Sequence, residues 1–336
     1  MKRRTFNAMS LAAILTPLPG PSIAQQIRQD LIGYQFAEIN EGRLTTIHEG
    51  MATPRTLVDD DTLFQVASCS KTVTALAILT LVRDGRIDLD QPASRYLKRW
   101  ELTGPRGRTA TVADLLSHAA GTTVHGFGGY GPDEKIPTLL EILDGLYPAN
   151  SDAIRTQRRL LRRFRYSGGG TMVLQILIED VTGTDFATYT VREVLAEIGA
   201  PRATFDIKPA LEFAHGSYEN GQAVAGGFRK HPESAAAGLW ATASDLAHIL
   251  QAVLHSLQGA KGAILPAELA RRMVTPTIGH SGFGIYVGPG NIISHEGRNH
   301  GFDSVMSAEV ETGRVRTAVT NRNGAIESYA RALVPD

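Results

Sequence analysis

The stretch "FQVASCSKTVTALAILTLVRDGRIDLD", residues 64–90, sets a serine three positions before a lysine at the head of a long apolar run. The pattern predicts a helix over roughly 69–84, closed by Gly85, a residue type that suits a helix end. Val73, Ala75, Leu76, Ala77, Ile78, Leu79, Leu81 and Val82 cover nearly every face, which marks an interior helix. Ser68 and Lys71, at i and i+3, share a face, so their side chains can meet. Burial against the apolar run disfavours an ammonium, and a neutral amine can take a proton from a hydroxyl. At the helix start, unpaired N–H groups and the helix dipole can steady a developing negative charge. The same residues also suit a helix cap with a snorkelling lysine, so the motif alone leaves both readings open. Ser70 is a rival nucleophile with poorer spacing. Cys69 points about 100° away from Ser68 on a helix and reads as a packed small residue.

Outward from this helix, "YQFAEINEGRLTTIHEG" reads as strands Tyr34–Ile39 and Arg43–Ile47 around an Asn-Glu-Gly turn. The middle of the chain is mainly helical. Thr111 with Asp114 and Thr242 with Asp245 form capping pairs, and periodic segments follow at about 137–146, 152–162, 171–181 and 186–198. Pro266 opens a shorter helix through Met273. The last quarter changes period: "SGFGIYVG", "NIISHEG", "FDSVMSAEVE" and "RVRTAVTNR" read as an antiparallel meander, followed by a helix Ala325–Leu333. The expected fold is α+β, an α/β sandwich: an antiparallel sheet formed by both termini and flanked by helices, with an inserted helical lobe. The sheet lobe takes about 25–66 and 280–336, the mainly helical lobe about 67–279, and the two make a single domain with a cleft between them.

The 336 residues carry 34 Lys+Arg and 34 Asp+Glu, so no net field recruits nucleic acid. The start, "MKRRTFNAMSLAAILTPLPGPSIAQQ", has a basic head, an apolar stretch and small residues up to Ala24, which predicts a cleavable export signal over 1–24 and a periplasmic or secreted protein. Arg3 and Arg4 hint at the twin-arginine route. No later segment reaches about 18 uncharged apolar residues, so no transmembrane segment is expected. Cys69 is the sole cysteine, which leaves no intrachain disulfide.

Two further segments carry chemistry. In "FRYSGGGTMVLQILIEDVTG", Tyr166 precedes Ser167 and three glycines that bring backbone close to whatever they face. A phenol near a lysine can pass a proton to a leaving group; packing at a helix start is the alternative. In "ISHEGRNHGFDS", His295 and Gly297 end a predicted strand whose edge can pair with a bound acyl chain and offer the N–H of Arg298 as an oxyanion donor. An ordinary strand-end histidine fits as well. "HEGRN" lacks the second histidine of a metalloprotease signature, and no other residues group at metal-ligand spacing, so neither metal nor cofactor is expected.

Together these segments resemble the penicillin-recognising serine hydrolases: class C β-lactamases, D-Ala-D-Ala carboxypeptidases and related carboxylesterases. The S-x-x-K motif matches Ser68-Cys69-Ser70-Lys71, the tyrosine motif matches Tyr166-Ser167-Gly168, and the His-x-Gly form of the third motif matches His295-Glu296-Gly297. "TVADLLSHAAG" and "AAAGLWATASDLAHIL" are similar to two further segments, and the likeness covers roughly 34–332. The resemblance implies a β-lactamase/transpeptidase-like fold and a covalent acyl-enzyme. Ser68 is then the nucleophile, Lys71 its base, Tyr166 the proton relay and His295 a pocket-shaping group, with an oxyanion hole from the N–H groups of Ser68 and Arg298. Gly168 stands where family members carry an asparagine that binds the substrate amide, and His295 where many carry a lysine. These departures weaken the case for β-lactam hydrolysis, although a charged His295 or Arg298 could attract a carboxylate. The His-x-Gly form is similar to esterase and peptidase branches; a carboxylesterase is the main expectation, with a β-lactamase or D-amino-acid peptidase as the alternative. The expected partner is a small-molecule ester, amide or β-lactam. The rival of another class is a sensor that is acylated and does not turn over.

Overall fold

The computed structural model describes residues 33–158 and 163–326. The first two strands, β1 (Gly33–Asn40) and β2 (Arg43–Gly50), form a hairpin around Glu41-Gly42, where both residues have positive φ. A short strand β3 (Phe64–Ala67) leads into helix α1 (Ser70–Arg83). Then come α2 (Val112–Leu116), α3 (Leu139–Asp144), α4 (Gly168–Thr182), α5 (Phe186–Thr190) and α6 (Ser234–Ala237). The chain continues through β4 (Leu239–Ala241), α7 (Ala243–Leu257) and α8 (Ala267–Met273). It ends in β5 (Tyr286–Gly288), β6 (Ile292–Asn299), β7 (Phe302–Glu309) and β8 (Val315–Thr320).

The six long-range strands form one antiparallel sheet in the order β2-β1-β8-β7-β6-β5. The first and last parts of the chain therefore share a sheet, as the two strand-rich ends imply. Period-2 alternation sorts its side chains: Ala37, Ile39, Val315 and Val319 enter the main core, while Tyr34, Phe36, Val305 and Ala318 gather in a small cluster on the other face. Helix α7 belongs to the sheet layer although it lies inside the stretch assigned to the helical lobe. Ala243 N donates to Gln35 Oε1 and Thr317 Oγ1 donates to Ala243 O, pinning the start of α7 to β1 and β8. Twelve consecutive residues of α1, Ser70 to Leu81, are buried, so this helix is the interior post on which both layers rest.

The capping pairs at Thr111/Asp114 and Thr242/Asp245 are present as reciprocal capping boxes. Other expectations need correction. The segment 152–158 is not helical: Arg155 and Thr156 bridge to Thr103 and Thr122, which draws the chain out straight. "SGFGIYVG" is a strand only at Tyr286–Gly288, because the residues before it turn over α1 and α8. There Phe283 N donates to Met273 O, and Gly284, at φ +63, lies against the Lys71 carbonyl. The segment 186–198 is an α-helix only to Thr190 and then widens into a π turn over Val191–Leu195. Residues 1–24 and, from residue 327 onward, the expected last helix lie outside the described residues, and Ala325 and Ile326 sit in a turn.

Candidate active site

The chain leaves β3 through Ala67, whose φ of 46° is left-handed and uncommon for a residue with a Cβ. Cys69 N donates to Val66 O and Lys71 N to Ser68 O, so the turn carrying Ser68 is fixed before α1 begins. Ser68 is half-buried, and its Oγ lies 3.0 Å from Lys71 Nζ. The Tyr166 hydroxyl donates to the same Oγ at 2.7 Å. Lys71 is 4% exposed; its Nζ donates to Ala236 O at 2.7 Å and sits 4.9 Å from the centre of the Tyr166 ring. Serine, lysine and tyrosine, singled out separately along the chain, thus converge on one oxygen.

The neighbours of Ser68 separate the nucleophile from its rivals. Ser70 is fully buried, donates to Ala67 O and accepts from Leu239 N, so its hydroxyl ties α1 to β4. The Cys69 Sγ faces the other way, 3.4 Å from Ser304 Oγ, and burial pushes its thiol up to about 12. It is a packed small group, as its angular position on the helix implies.

Tyr166 is placed by the helix after it and by the loop on which that helix starts. Ser167 caps α4 by accepting from Gly170 N, and its Oγ donates to the carbonyls of Thr123 and Val124. The helix starts at Gly168, three residues before the expected 171, because the 123–127 loop packs directly on its first turn. A Cβ at Gly169 would stand 2.6 Å from Thr123 O, and one at Gly168 2.9 Å from Phe127 Cε2. The Phe127 ring therefore occupies the space beside Gly168.

His295 lies on β6, 2% exposed, with its ring centre 6.5 Å from that of Tyr166 and 5.2 Å from that of Tyr286. Its Nδ1 is 2.7 Å from the Glu296 carbonyl, which can only accept, so Nδ1 carries the hydrogen and Nε2 keeps its lone pair. Burial first, then the Lys71 charge, lowers its pKa to about 3. A neutral His295 offers no positive charge to a carboxylate. Gly297 is the point where β6 passes closest to the nucleophile: a Cβ there would meet Val66 O at 2.2 Å and Ser68 N at 3.0 Å. The Arg298 guanidinium makes a two-pronged ion pair with Asp303, at 2.8 and 3.1 Å. In a two-residue hairpin whose flanking pair is Asn299↔Phe302, the Arg298↔Asp303 pair is a non-hydrogen-bonded one, so the Arg298 N–H points away from β7.

Three contributors carried no assigned role in the sequence. His118, in the "LLSHAAG" segment, is 5% exposed and has φ +58; its Nδ1 accepts from Ser167 N at 3.3 Å and its ring lies 4.7 Å from Tyr166. Burial, with Lys71 next in weight, lowers its pKa to about 3. Ala236 contributes a backbone oxygen and Phe127 a ring, neither of which has a motif. Among the described residues no group of three or more His, Cys, Asp or Glu could hold a metal ion, and no helix is long and apolar enough to cross a membrane.

A serine in the turn before an interior helix that carries a lysine, beside an antiparallel sheet and facing a tyrosine, defines the class of serine acyl-transfer folds. The Beta-lactamase family model matches residues 13–334, and the chain belongs to that family. Among curated relatives, PbpX of Bacillus subtilis (strain 168), named for penicillin binding, is 26% identical over 242 residues, 70% of this chain and 56% of that protein. The esterase EstB of Burkholderia gladioli is 34% identical over 103 residues, 30% of this chain and 26% of that protein. The chain thus spans about half or less of the length of these relatives. Among solved structures, a D-amino acid amidase from Ochrobactrum anthropi SV3, complexed with L-phenylalanine, superposes with a TM-score of 0.76 at 21% identity, over 92% of this chain and 94% of that one. At that identity the likeness speaks for the fold.

Proposed function

We propose that the chain is a serine hydrolase that cleaves an ester through a covalent acyl-enzyme on Ser68. The observation that carries this reading is the meeting of Lys71 Nζ and Tyr166 OH on Ser68 Oγ. Lys71 takes the Ser68 proton as Oγ bonds to the substrate carbonyl carbon. The N–H groups of Ser68 and Arg298 stabilise the resulting oxyanion. As the carbonyl re-forms, the ester C–O bond breaks and Tyr166 relays a proton to the leaving alcohol. Water then adds to the acyl carbon, its proton passing to the Tyr166–Lys71 pair and on to Ser68 Oγ as the carboxylic acid departs. His295, neutral and buried, shapes the pocket.

A carboxylesterase-type substrate is favoured because the Gly168 flank offers a phenyl ring and no side-chain amide, and because His295 carries no charge to pair with a carboxylate. Cleavage of β-lactams or D-amino-acid amides is the second reading, supported by the relative named for penicillin binding and by the amidase likeness. A third part of the proposal is export: residues 1–24 act as a cleavable signal, leaving one catalytic domain from 25 onward in the periplasm or outside the cell.

The test is intact-protein mass spectrometry with p-nitrophenyl esters, nitrocefin and a D-Ala-D-Ala peptide, beside turnover on each. A transient adduct on Ser68 with esters turned over fastest is the expected result. An adduct on another residue overturns the mechanism, and one that persists for hours with every class identifies a sensor instead.

A further inference from the structure

A cavity of about 740 Å³ is bounded by Phe127, Tyr218, Arg298, Asn299, His300 and Asn323, with the exposed Glu219 and Asn220 at its lip. Its size falls within the range of small-molecule sites, roughly 300–1,000 Å³. Ser68, Lys71 and Tyr166 are not part of its lining, but two of its lining residues lead to them. Arg298 directly follows Gly297, which packs on Ser68 N, and Phe127 rests on Gly168, two residues past Tyr166.

Several polar groups of this wall are already engaged within the protein. Asn299 Nδ2 donates to Gln65 Oε1 and Ala237 O. Asn323 Nδ2 donates to Asn299 O, Phe302 O and Asp303 Oδ1, while its Oδ1 accepts from Gly301 N. The Arg298 guanidinium spans Asp303. Phe127, Tyr218 and His300 add ring surface, the last two packed edge to face with centres 5.7 Å apart. A flat apolar group entering such a space loses water and gains ring contacts. A substrate amide laid against the Phe127 ring loses hydrogen bonds to water and gains none from that flank in exchange.

We infer that this cavity is the acyl pocket of the reaction proposed above, that Phe127 is its specificity-determining residue, and that it takes an aromatic acyl group in preference to an acylamino chain. The inference rests on the serine-hydrolase reading. Phe127 sets the choice because it fills the position beside Gly168 from which a polar side chain would otherwise meet the acyl group.

The experiment compares kcat/KM for p-nitrophenyl phenylacetate, p-nitrophenyl acetate and the p-nitrophenyl ester of N-acetylglycine, using the full chain, with intact mass recorded for each. The parent enzyme should favour phenylacetate over the N-acetylglycine ester by about tenfold or more, the scale set by one well-filled or unfilled hydrophobic contact. Phe127→Ala should lower the phenylacetate-to-acetate ratio about tenfold, Phe127→Leu should give an intermediate ratio, and Phe127→Asn should raise the relative rate on the N-acetylglycine ester. Phe127→Leu retains the packing on Gly168 and decides the matter if the alanine variant does not fold. Ratios unchanged within about twofold, while Ser68 still carries the acyl group, overturn the acyl pocket. No Ser68 adduct with any of the three esters in the parent protein overturns the hydrolase reading instead.

Discussion

Ser68, Lys71 and Tyr166 form one wall of the cleft, and they meet through side-chain contacts of 3.0 and 2.7 Å at a half-buried oxygen. The second wall, β6 against Ser68 N and the His118 ring against Tyr166, is arranged differently. His295 and His118 are 2% and 5% exposed and held neutral by burial, while Gly297 brings its strand against Ser68 N through lack of a side chain. The first wall is organised by polar atoms that answer one another, the second by packing that removes charge. The difference lies in what each histidine brings to the site: desolvation keeps both imidazoles neutral, so neither adds a positive charge beside Lys71.

The comparison breaks most directly at the polar wall. Ser68→Ala should reduce turnover by about a thousandfold or more, and Lys71→Ala by a similar factor. Because the pair acts as a unit, the double variant should be no worse than Ser68→Ala alone. Additive losses in steady-state kinetics would show that Lys71 acts apart from Ser68.

The packed wall is probed by acid. The unfolded chain protonates histidine near pH 6.5, whereas folded His118 and His295 do so near 3. Between those values the unfolded state binds more protons. The stability contributed by each neutral histidine is therefore complete above about pH 6.5 and lost as the pH falls toward 3, at about 1.4 kcal/mol per pH unit. His295→Gln should flatten the slope of unfolding free energy between pH 6 and 4 by about that amount in urea titrations. An unaltered slope would show that His295 is charged in the folded protein.

The smallest effect separates the two serines of the motif. Ser70→Ala leaves Leu239 N–H without its acceptor and should cost about 1–3 kcal/mol of stability, with turnover kept within a few fold. A loss of turnover as deep as that of Ser68→Ala would reverse the assignment of nucleophile.

Much of the fold was legible because its signals are local. The capping pairs at Thr111/Asp114 and Thr242/Asp245, the all-round apolar α1 and the alternation of β6 to β8 are written within a few consecutive residues. Strands β3 and β4 were not anticipated: they hold four and three residues, are buried throughout and so show no alternation, and find each other across some 170 positions. The segment 152–158 shows a helical period that bridges to Thr103 and Thr122 override. At the site, Ser68, Lys71, Tyr166 and His295 were readable because reactive side chains and their spacing are visible in a string of letters. Ala236 acts through a carbonyl that every residue type possesses. Phe127 sits in a glycine-rich loop where nothing local reveals that its ring lies on Gly168. His118 lay inside a segment already noticed, but its contact with Ser167 depends on a left-handed backbone that the sequence does not announce for a histidine.

Lys71 rests on the carbonyl of Ala236, 165 positions further along, and Ser68 on a phenol 98 positions away. The motif is contiguous, yet the reagent is not. A nascent or partly assembled chain carries the same hydroxyl and amine without their partners, so the geometry of the site arrives only with the completed tertiary structure.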